Sequence, residues 1–178
     1  MGVHDRRRFR AFAEFIHTTY PNIGKVADVG GGRGDVSFFL HELGHDATII
    51  DSRAARLPRW IKRSLRRESV KQGRLIELSR VVSKVQDTDL QAFDLIVGLH
   101  PDEATEHIIR AAIKYDKEFA IVPCCVFPID GVKRSKENWR DYLISLSKDI
   151  VTTTLPIRGE NLVLYRCSPP GKEPSNNC

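Results

Sequence analysis

The feature that most constrains the fold of this chain is a glycine-rich segment between a short apolar run and an amphipathic one. The apolar run is residues 25–29, and residues 28–34 are Asp-Val-Gly-Gly-Gly-Arg-Gly. Beyond them, apolar side chains recur at helical spacing up to Gly44, at Val36, Phe39, Leu40 and Leu43. Glycine adopts positive φ without strain and lets the backbone come within contact distance of a ligand. The pattern predicts a strand, a ligand-holding loop and a helix.

Apolar segments of strand type and helix type alternate along most of the remaining chain. We predict strands at residues 47–51, 75–82, 93–98 and 119–122. Three helices are predicted by their apolar stripes: Phe9, Phe12, Phe15 and Ile16 before Tyr20-Pro21; Leu57, Trp60, Ile61 and Leu65 after Pro58; and Ile108, Ile109, Ala112 and Ile113. Such alternation is typical of a parallel sheet with helices on both faces.

The C-terminal part departs from this alternation. Trp139, Tyr142, Leu143 and Leu146 predict another helix, and the strand-like residues 151–155 and 162–165 flank a short connection that contains Gly159. So short a connection joins antiparallel strands, because a parallel crossover needs a dozen or more residues. We therefore predict a final hairpin, unlike the last crossover of a standard dinucleotide-binding fold.

The overall length and composition indicate one domain. The chain has 178 residues; we place a single domain at residues 1–168 and expect a disordered proline-rich tail at residues 169–178. No apolar run is long enough to cross a bilayer, and no apolar run follows the N-terminal arginines as in a signal peptide, so we expect a cytoplasmic protein without membrane contact. The 4 cysteines include no C-x-x-C pair, so we predict reduced thiols and no metal site.

Two acidic side chains decide which nucleotide ligand the loop accepts. Asp51 ends the second predicted strand, about 20 residues beyond the loop, where a carboxylate can accept hydrogen bonds from both ribose hydroxyls. Asp35 stands where the third glycine of G-x-G-x-x-G falls, and a carboxylate at a helix N-terminus repels the pyrophosphate of a dinucleotide. An adenosyl ligand without phosphate suits the loop better, and Asp35 can then cap the helix.

Residues 28–34 fit the D-x-G-x-G-x-G pattern of class I S-adenosylmethionine-dependent methyltransferases, and the chain resembles that superfamily over nearly its whole length. The resemblance implies an α/β Rossmann-like fold: a mostly parallel seven-stranded sheet with an antiparallel C-terminal hairpin strand and helices on both faces. It also implies S-adenosylmethionine as cofactor, with Asp28 near its methionine end. The cofactor-binding residues are then expected to be Asp28, Gly30, Gly31, Gly32, Gly34, Asp51 and Gly98. Residues 79–82 lack the acid that usually reads the adenine in that family, which leaves backbone or apolar contacts there.

Reacting groups in open α/β sheets gather beyond the carboxyl ends of the strands, which here points to residues 98–103 and 123–128. The N-P-P-Y signature of amino-group methyltransferases that act on bases or glutamine does not follow the fourth strand. An exocyclic amine is therefore disfavoured as the methyl acceptor. Gly-Leu-His before an acidic helix start, with Cys-Cys after the next strand, is similar to the eukaryotic tRNA acceptor-stem ribose methyltransferases and related methyltransferase domains. Residues 101–103, Pro-Asp-Glu, replace the usual Leu-Cys-Gly, and the zinc-binding segments of those enzymes are lacking, which leaves the substrate open.

Methylation of a hydroxyl requires a proton acceptor, and a histidine oriented by a carboxylate can serve as one. We predict His100 as this base, oriented by Asp102 or Glu103. The structural alternative is that His100 bonds backbone at the strand end while Asp102 caps the following helix. Cys124 and Cys125 are expected to be small buried side chains, with Cys124 a candidate for the wall of the acceptor pocket.

Basic residues predict a polyanionic partner. The net charge is +5, and the excess is concentrated in the helix after Asp51 and in a later basic strip. The expected RNA contacts are Arg59, Arg63, Arg66, Arg67, Lys133 and Arg134. The leading function is therefore RNA methylation, on tRNA or rRNA and at a ribose hydroxyl. Two alternatives stay open: a small-molecule or protein methyltransferase whose basic helix is only a solvated surface, and a non-catalytic subunit that retains the fold beside a protein partner.

Overall fold

A computed structural model describes residues 6–166 of the chain, so the expected tail at residues 169–178 lies outside the described part. Its centre is a seven-stranded sheet in the order β3-β2-β1-β4-β5-β7-β6. The strands are β1 Lys25–Val29, β2 Asp46–Asp51, β3 Ser79–Val82, β4 Leu95–Leu99, β5 Glu118–Val122, β6 Val151–Thr154 and β7 Leu162–Arg166. Strands β1 to β5 pair in parallel, whereas β7 pairs antiparallel with both β5 and β6. The predicted sheet and its final hairpin are confirmed.

In the described part of the chain, five α-helices cover the two faces of this sheet. They are α1 Arg7–Thr19, α2 Asp35–Glu42, α3 Arg59–Gln72, α4 Thr105–Lys114 and α5 Lys136–Ser145, with short 3-10 turns at Val85–Asp87 and Asp102–Ala104. Phe12, Phe38 and Ile61 place α1, α2 and α3 in one apolar layer, and Ile108 and Trp139 place α4 and α5 in the other. Strand residues alternate between the layers because successive side chains of a strand point to opposite faces. Helices on both faces are thus confirmed.

The order of the strands decides where a ligand can bind. Strand β1 has β2 on one side and β4 on the other, so the chain direction of the crossovers reverses between β1 and β4. In open α/β sheets, ligands bind beyond the carboxyl ends of the strands at such a switch point. Residues 30–34, Asp51 and residues 100–104 all follow directly from, or end, the strands that meet there.

Two local expectations need correction. The third strand is only Ser79–Val82, since residues 75–78 run outside the sheet with Leu75 exposed and Ile76 buried against the first layer. Asp35 is the first residue of α2 and not its cap, because Gly34 holds the cap position at φ 80°. This positive φ favours glycine, and a side chain there would also displace Ile49 Cδ1, which it would meet at 2.6 Å.

No helix within residues 6–166 combines the length and the apolar content needed to span a bilayer.

Candidate cofactor and active site

Two adjoining cavities lie at the switch point. The loop cavity, about 800 Å³, lies over the glycine-rich loop and is lined by Asp28, Gly30, Gly31, Gly32, His100, Asp102 and Cys124 among others. The strand-tip cavity, about 290 Å³, lies between Asp51, residues 83–86 and residues 100–104. Gly30, Arg53, His100 and Asp102 line both. The cavities therefore form one continuous site. Residues 83–86, which line the strand-tip cavity, directly follow residues 79–82, the segment that lacks an adenine-reading acid.

Asp28 is fully buried beneath the loop, and only one of its carboxylate oxygens is satisfied. Its Oδ2 accepts hydrogen bonds from Ser37 Oγ at 2.7 Å and from the Ser37 N–H at 3.2 Å, while Oδ1 is buried with no hydrogen-bond partner within residues 6–166. Burial raises the pKa of Asp28 to about 6, against the opposing effect of the Ser37 bonds. A side chain at Gly31 would come within 2.7 Å of Oδ2, so the loop lies directly on the carboxylate. Oδ1 is thus a buried acceptor with unused capacity, in a residue that lines the loop cavity.

Asp51 joins the tip of β2 to the loop. Its Oδ2 accepts a hydrogen bond from the Gly32 N–H at 2.9 Å, and its Oδ1 accepts from the Arg53 N–H at 2.8 Å and from Arg53 Nε at 3.2 Å. Burial alone would raise the pKa of Asp51, but the Arg53 side chain and these N–H groups outweigh it and lower the pKa. The Arg53 side chain is 76% exposed, so it can leave Oδ1 to a competing hydroxyl at little cost.

The loop backbone has further supports, one of which sequence reasoning missed. The Gly30 N–H donates to Ile50 O at 2.8 Å, and a side chain at Gly30 would reach the Pro101 backbone at 3.0 Å. Arg80 of β3 donates to Gly32 O at 2.8 Å. The sequence signal for this role is a lone arginine in the strand beside β2. Gly98 is buried among Ile108 and Pro101 and is not among the residues lining either cavity.

His100 directly follows β4 in a left-handed conformation, φ 57°, and lines both cavities. Its N–H donates to Val122 O at 3.0 Å, and its Nε2 lies 3.3 Å from Glu160 O, in the connection between β6 and β7. A carbonyl oxygen can only accept, so Nε2 carries the hydrogen and Nδ1 is the basic nitrogen. Burial lowers the pKa of His100, which keeps the ring neutral near pH 7. The orienting partner is a backbone carbonyl, which corrects the expectation that Asp102 or Glu103 orients the ring.

Asp102 also has positive φ, 49°, and its carboxylate accepts a hydrogen bond from a thiol. Asp102 Oδ1 accepts from Cys124 Sγ at 3.1 Å, and Cys124 Sγ lies 3.4 Å from Cys125 Sγ. Burial and the neighbouring Asp102 carboxylate raise the pKa of the Cys124 thiol. The carboxylate does not cap α4, which begins at Thr105. Cys124 is half-buried and Cys125 exposed, so the expectation of two buried cysteines is wrong, whereas Cys124 does line the loop cavity.

The predicted RNA-binding residues separate into different surfaces. Arg59, Arg63 and Arg67 of α3 face Arg6, Arg7 and Arg10 at the start of α1 across a groove of about 800 Å³, which we name the arginine groove. Arg66 lines a different groove, and Lys133 lies beside a third cavity. Arg134 pairs with both oxygens of Asp130, at 2.7 and 2.6 Å, and stacks on Tyr142. Sequence reasoning missed the α1 arginines because only the tertiary fold brings them to α3.

Comparison with known proteins bears on this geometry. A family model described as "Methyltransferase domain" matches residues 6–130. A protein of Caenorhabditis elegans named as a probable tRNA (uracil-O(2)-)-methyltransferase is 31% identical over 111 residues, which are 62% of this chain and 19% of that protein. The chain thus matches about a fifth of the length of this curated relative.

Solved structures share the fold at low sequence identity. A ribosomal protein L11 methylase from Lactobacillus delbrueckii subsp. bulgaricus aligns with TM-score 0.60 and 15% identity, over 95% of this chain and 81% of the other. The 1,6-didemethyltoxoflavin-N1-methyltransferase of Burkholderia thailandensis, solved with S-adenosylhomocysteine, aligns with TM-score 0.58 and 21% identity, over 93% and 80% of the two chains.

Proposed function

The chain belongs to the methyltransferase domain family and uses S-adenosylmethionine, and from this premise we propose that its acceptor is RNA, methylated at a ribose hydroxyl. The observation that carries the proposal is the arginine groove, which adjoins the site of chemistry. Arg6 and Trp60 line both the arginine groove and the loop cavity, and Arg6 lies over the Trp60 ring at 4.4 Å. A polyanion held in the groove would pass directly to the loop cavity.

The charge in the groove is suited to a phosphate backbone. Six guanidinium groups, those of α1 and α3 together with Arg6 just before α1, outnumber the carboxylate of Glu42 in the groove lining, and guanidinium binds phosphate oxygens through paired hydrogen bonds. Arg8 also lines the loop cavity, and its Nε is buried with no hydrogen-bond partner within residues 6–166. This donor could hold the phosphate nearest the acceptor nucleotide. The similarity to a protein named as a tRNA methyltransferase supports the same class of substrate.

The acidic and glycine residues of the site fit the cofactor. Asp28 has one buried, unpartnered oxygen, which suits the ammonium group of the cofactor's amino acid. Asp51 suits the ribose hydroxyls once Arg53 moves aside, and the close approach of Gly31 to Asp28 keeps the loop backbone low enough for a ligand to lie over it. S-adenosylmethionine, when bound, supplies a methyl group on a positively charged sulfur.

His100 then acts as the general base. Its Nδ1 accepts the proton of the acceptor hydroxyl as the oxygen takes the methyl group, while Nε2–H keeps its bond to Glu160 O. Burial lowers the pKa of the ring, so the base is unprotonated at neutral pH. The left-handed backbone at His100 is a strained conformation of the kind that clusters at functional sites.

Transfer of tritiated methyl groups to separate tRNA, rRNA, protein and metabolite pools tests the proposal. We expect tRNA or rRNA to be labelled, with label lost in His100→Ala and Asp51→Ala. Label only in protein or metabolites would overturn the RNA proposal. Label in no pool, unless a second protein is added, would favour the non-catalytic subunit. Unchanged methyl transfer by His100→Ala would exclude His100 as the general base.

Helix α3 offers a charge-matched control for the groove. Arg63 and Arg67 line the arginine groove, whereas Lys62 and Arg66 line the groove on the other side of α3. We expect Arg63→Ala/Arg67→Ala to weaken tRNA binding and to reduce its logarithmic salt slope by about 2, because two phosphate contacts are lost. The Lys62→Ala/Arg66→Ala pair should change both the tRNA affinity and its salt slope far less. Equal losses in both would mean that net charge, and not the groove, holds the RNA.

A further inference from the structure

A cluster of two thiols and one carboxylate lies where β4 and β5 end. These strands pair in parallel with Leu99 opposite Val122, so the residues just beyond their ends meet. The Asp102 carboxylate and the Cys124 and Cys125 thiols each offer a ligand atom within 4.8 Å of the others. The proposed methyl transfer uses none of these three side chains.

We propose that Asp102, Cys124 and Cys125 bind a divalent cation that prefers sulfur ligands, with Zn²⁺ as the expected ion. Zn²⁺ takes thiolate and carboxylate ligands in a tetrahedral site, where two sulfurs stand about 3.8 Å apart and a sulfur and an oxygen roughly 3.5 Å apart. The Cys124 Sγ lies 3.4 Å from Cys125 Sγ and 3.1 Å from Asp102 Oδ1. Each separation therefore needs to open by roughly 0.4 Å, which rotation of the exposed Cys125 and Asp102 side chains can supply.

Two basic side chains near the cluster oppose a cation only weakly, because each is already paired with another carboxylate. The basic groups that interact electrostatically with it, Lys136 with Cys125 and Arg53 with Asp102, are themselves paired. Lys136 Nζ lies 2.7 Å from Glu160 and Arg53 Nε lies 3.2 Å from Asp51. Binding replaces the two thiol hydrogens by two sulfur–metal bonds and releases two protons to the buffer, without any oxidant or reductant.

The placement of the cluster gives the metal a position open to exchange. Three protein ligands leave one tetrahedral position for water or for a group from the loop cavity, which Asp102 and Cys124 line. The cysteines include no C-x-x-C pair, so their spacing predicts no metal site. Here the third ligand comes from a different strand end, 22 residues before Cys124.

Titration of the reduced chain with Cd²⁺, a spectroscopic substitute for Zn²⁺, tests this site without any measurement of activity. The background is Cys167→Ser/Cys178→Ser, which removes the two cysteines outside the described residues and leaves Cys124 and Cys125 as the only thiols. We expect an ultraviolet thiolate-to-metal charge-transfer band that saturates at one equivalent and is displaced by Zn²⁺. Zn²⁺ should also raise the thermal unfolding midpoint, since it binds the folded state.

Three variants and one control distinguish a three-ligand metal site from two neighbouring thiols that bind metal without the carboxylate. Cys124→Ser and Cys125→Ser should each abolish the one-equivalent band. Asp102→Asn should weaken Zn²⁺ binding by at least about tenfold and reduce the shift in unfolding midpoint accordingly. Glu103→Gln, at the adjacent exposed carboxylate, should change neither. The absence of a saturable band, or unchanged binding in Asp102→Asn, would overturn the proposal, the latter because any two neighbouring thiols would then account for it.

Discussion

Asp28 is buried, ionisable and only half satisfied, so Asp28→Asn is expected to change how stability depends on pH. Asparagine keeps the size of the side chain, and its Oδ1 can still accept the hydrogen bonds from Ser37. What it removes is the cost of holding a carboxylate away from water. The same substitution removes the negative charge that we assign to the cofactor's ammonium group.

The magnitude follows from the pKa. Burial raises the pKa of Asp28 from 3.8 to about 6, and one pKa unit corresponds to about 1.36 kcal/mol. The folded state therefore binds this proton more tightly than the unfolded state, so the contribution of Asp28 to stability is greatest below pH 3.8 and is lost as the pH rises through about 6. Between those limits the loss is about 3 kcal/mol. Asp28→Asn does not titrate and lacks this loss.

Urea unfolding of both proteins at a series of pH values from 4 upward measures the difference. The free energy of unfolding of Asp28→Asn should gain on that of the wild type by about 2.4 kcal/mol between pH 4 and pH 7, because part of the full loss already lies below pH 4. The asparagine NH2 group then occupies the position of the wild-type Asp28 Oδ1, where it has no partner. This unpaired group lowers the free energy of unfolding of Asp28→Asn by about 1–3 kcal/mol at every pH, so the slope of its pH profile does not change. Parallel profiles would refute the reasoning, because they would mean that Asp28 has an ordinary pKa in the folded protein.

Three further expectations concern the rest of the site and its supports. Arg53→Ala removes the side-chain donor from Asp51 Oδ1 and keeps the backbone N–H bond, so the affinity for S-adenosylhomocysteine, measured by calorimetry, should stay the same or rise a few-fold; a loss above about tenfold would show that the Arg53 side chain itself holds the ligand. Glu106 is buried and accepts from Arg110, Tyr142 and the Ile129 N–H, so Glu106→Gln should cost about 2 kcal/mol in urea unfolding, while the exposed Glu103→Gln should be neutral; equal effects would contradict this. Burial and the neighbouring His17 lower the pKa of His45, so its contribution to stability is present above pH 6.5 and is lost as the pH falls below it. His45→Gln should therefore reduce the fall in unfolding free energy below pH 6.5, measured by urea unfolding. An unchanged fall would mean that other groups cause it.

The parts of the fold that sequence predicted correctly are set by local patterns. The strand, glycine loop and helix at residues 25–42 are specified within about 20 consecutive residues, and so is the position of Asp51 at the next strand tip. Likewise, the short connection between β6 and β7 requires an antiparallel pair whatever the rest of the chain does. These patterns placed Asp28 and Asp51 on the correct strand ends before any contact was known.

The parts that sequence did not predict depend on contacts between distant segments. Glu160 lies 60 residues beyond His100, and Arg80 lies 48 residues beyond Gly32, so no spacing rule pairs them. The arginine groove likewise forms only because α1 and α3 pack into the same apolar layer. Closeness in sequence predicts a pair between Asp102 and His100, whereas the positive φ angles of these two residues accompany a turn in which the Asp102 carboxylate accepts from Cys124.

The central claim is that the glycine-rich loop, with Asp28 beneath it and Asp51 beside it, holds the cofactor. Calorimetric titration of S-adenosylhomocysteine into the purified chain near neutral pH tests this claim most directly. We expect one equivalent to bind, with affinity reduced at least about tenfold in Asp51→Ala and unchanged in Asp46→Ala, at the opposite end of the same strand. No detectable heat at any concentration tried, or equal affinity in the wild type and Asp51→Ala, would contradict the account.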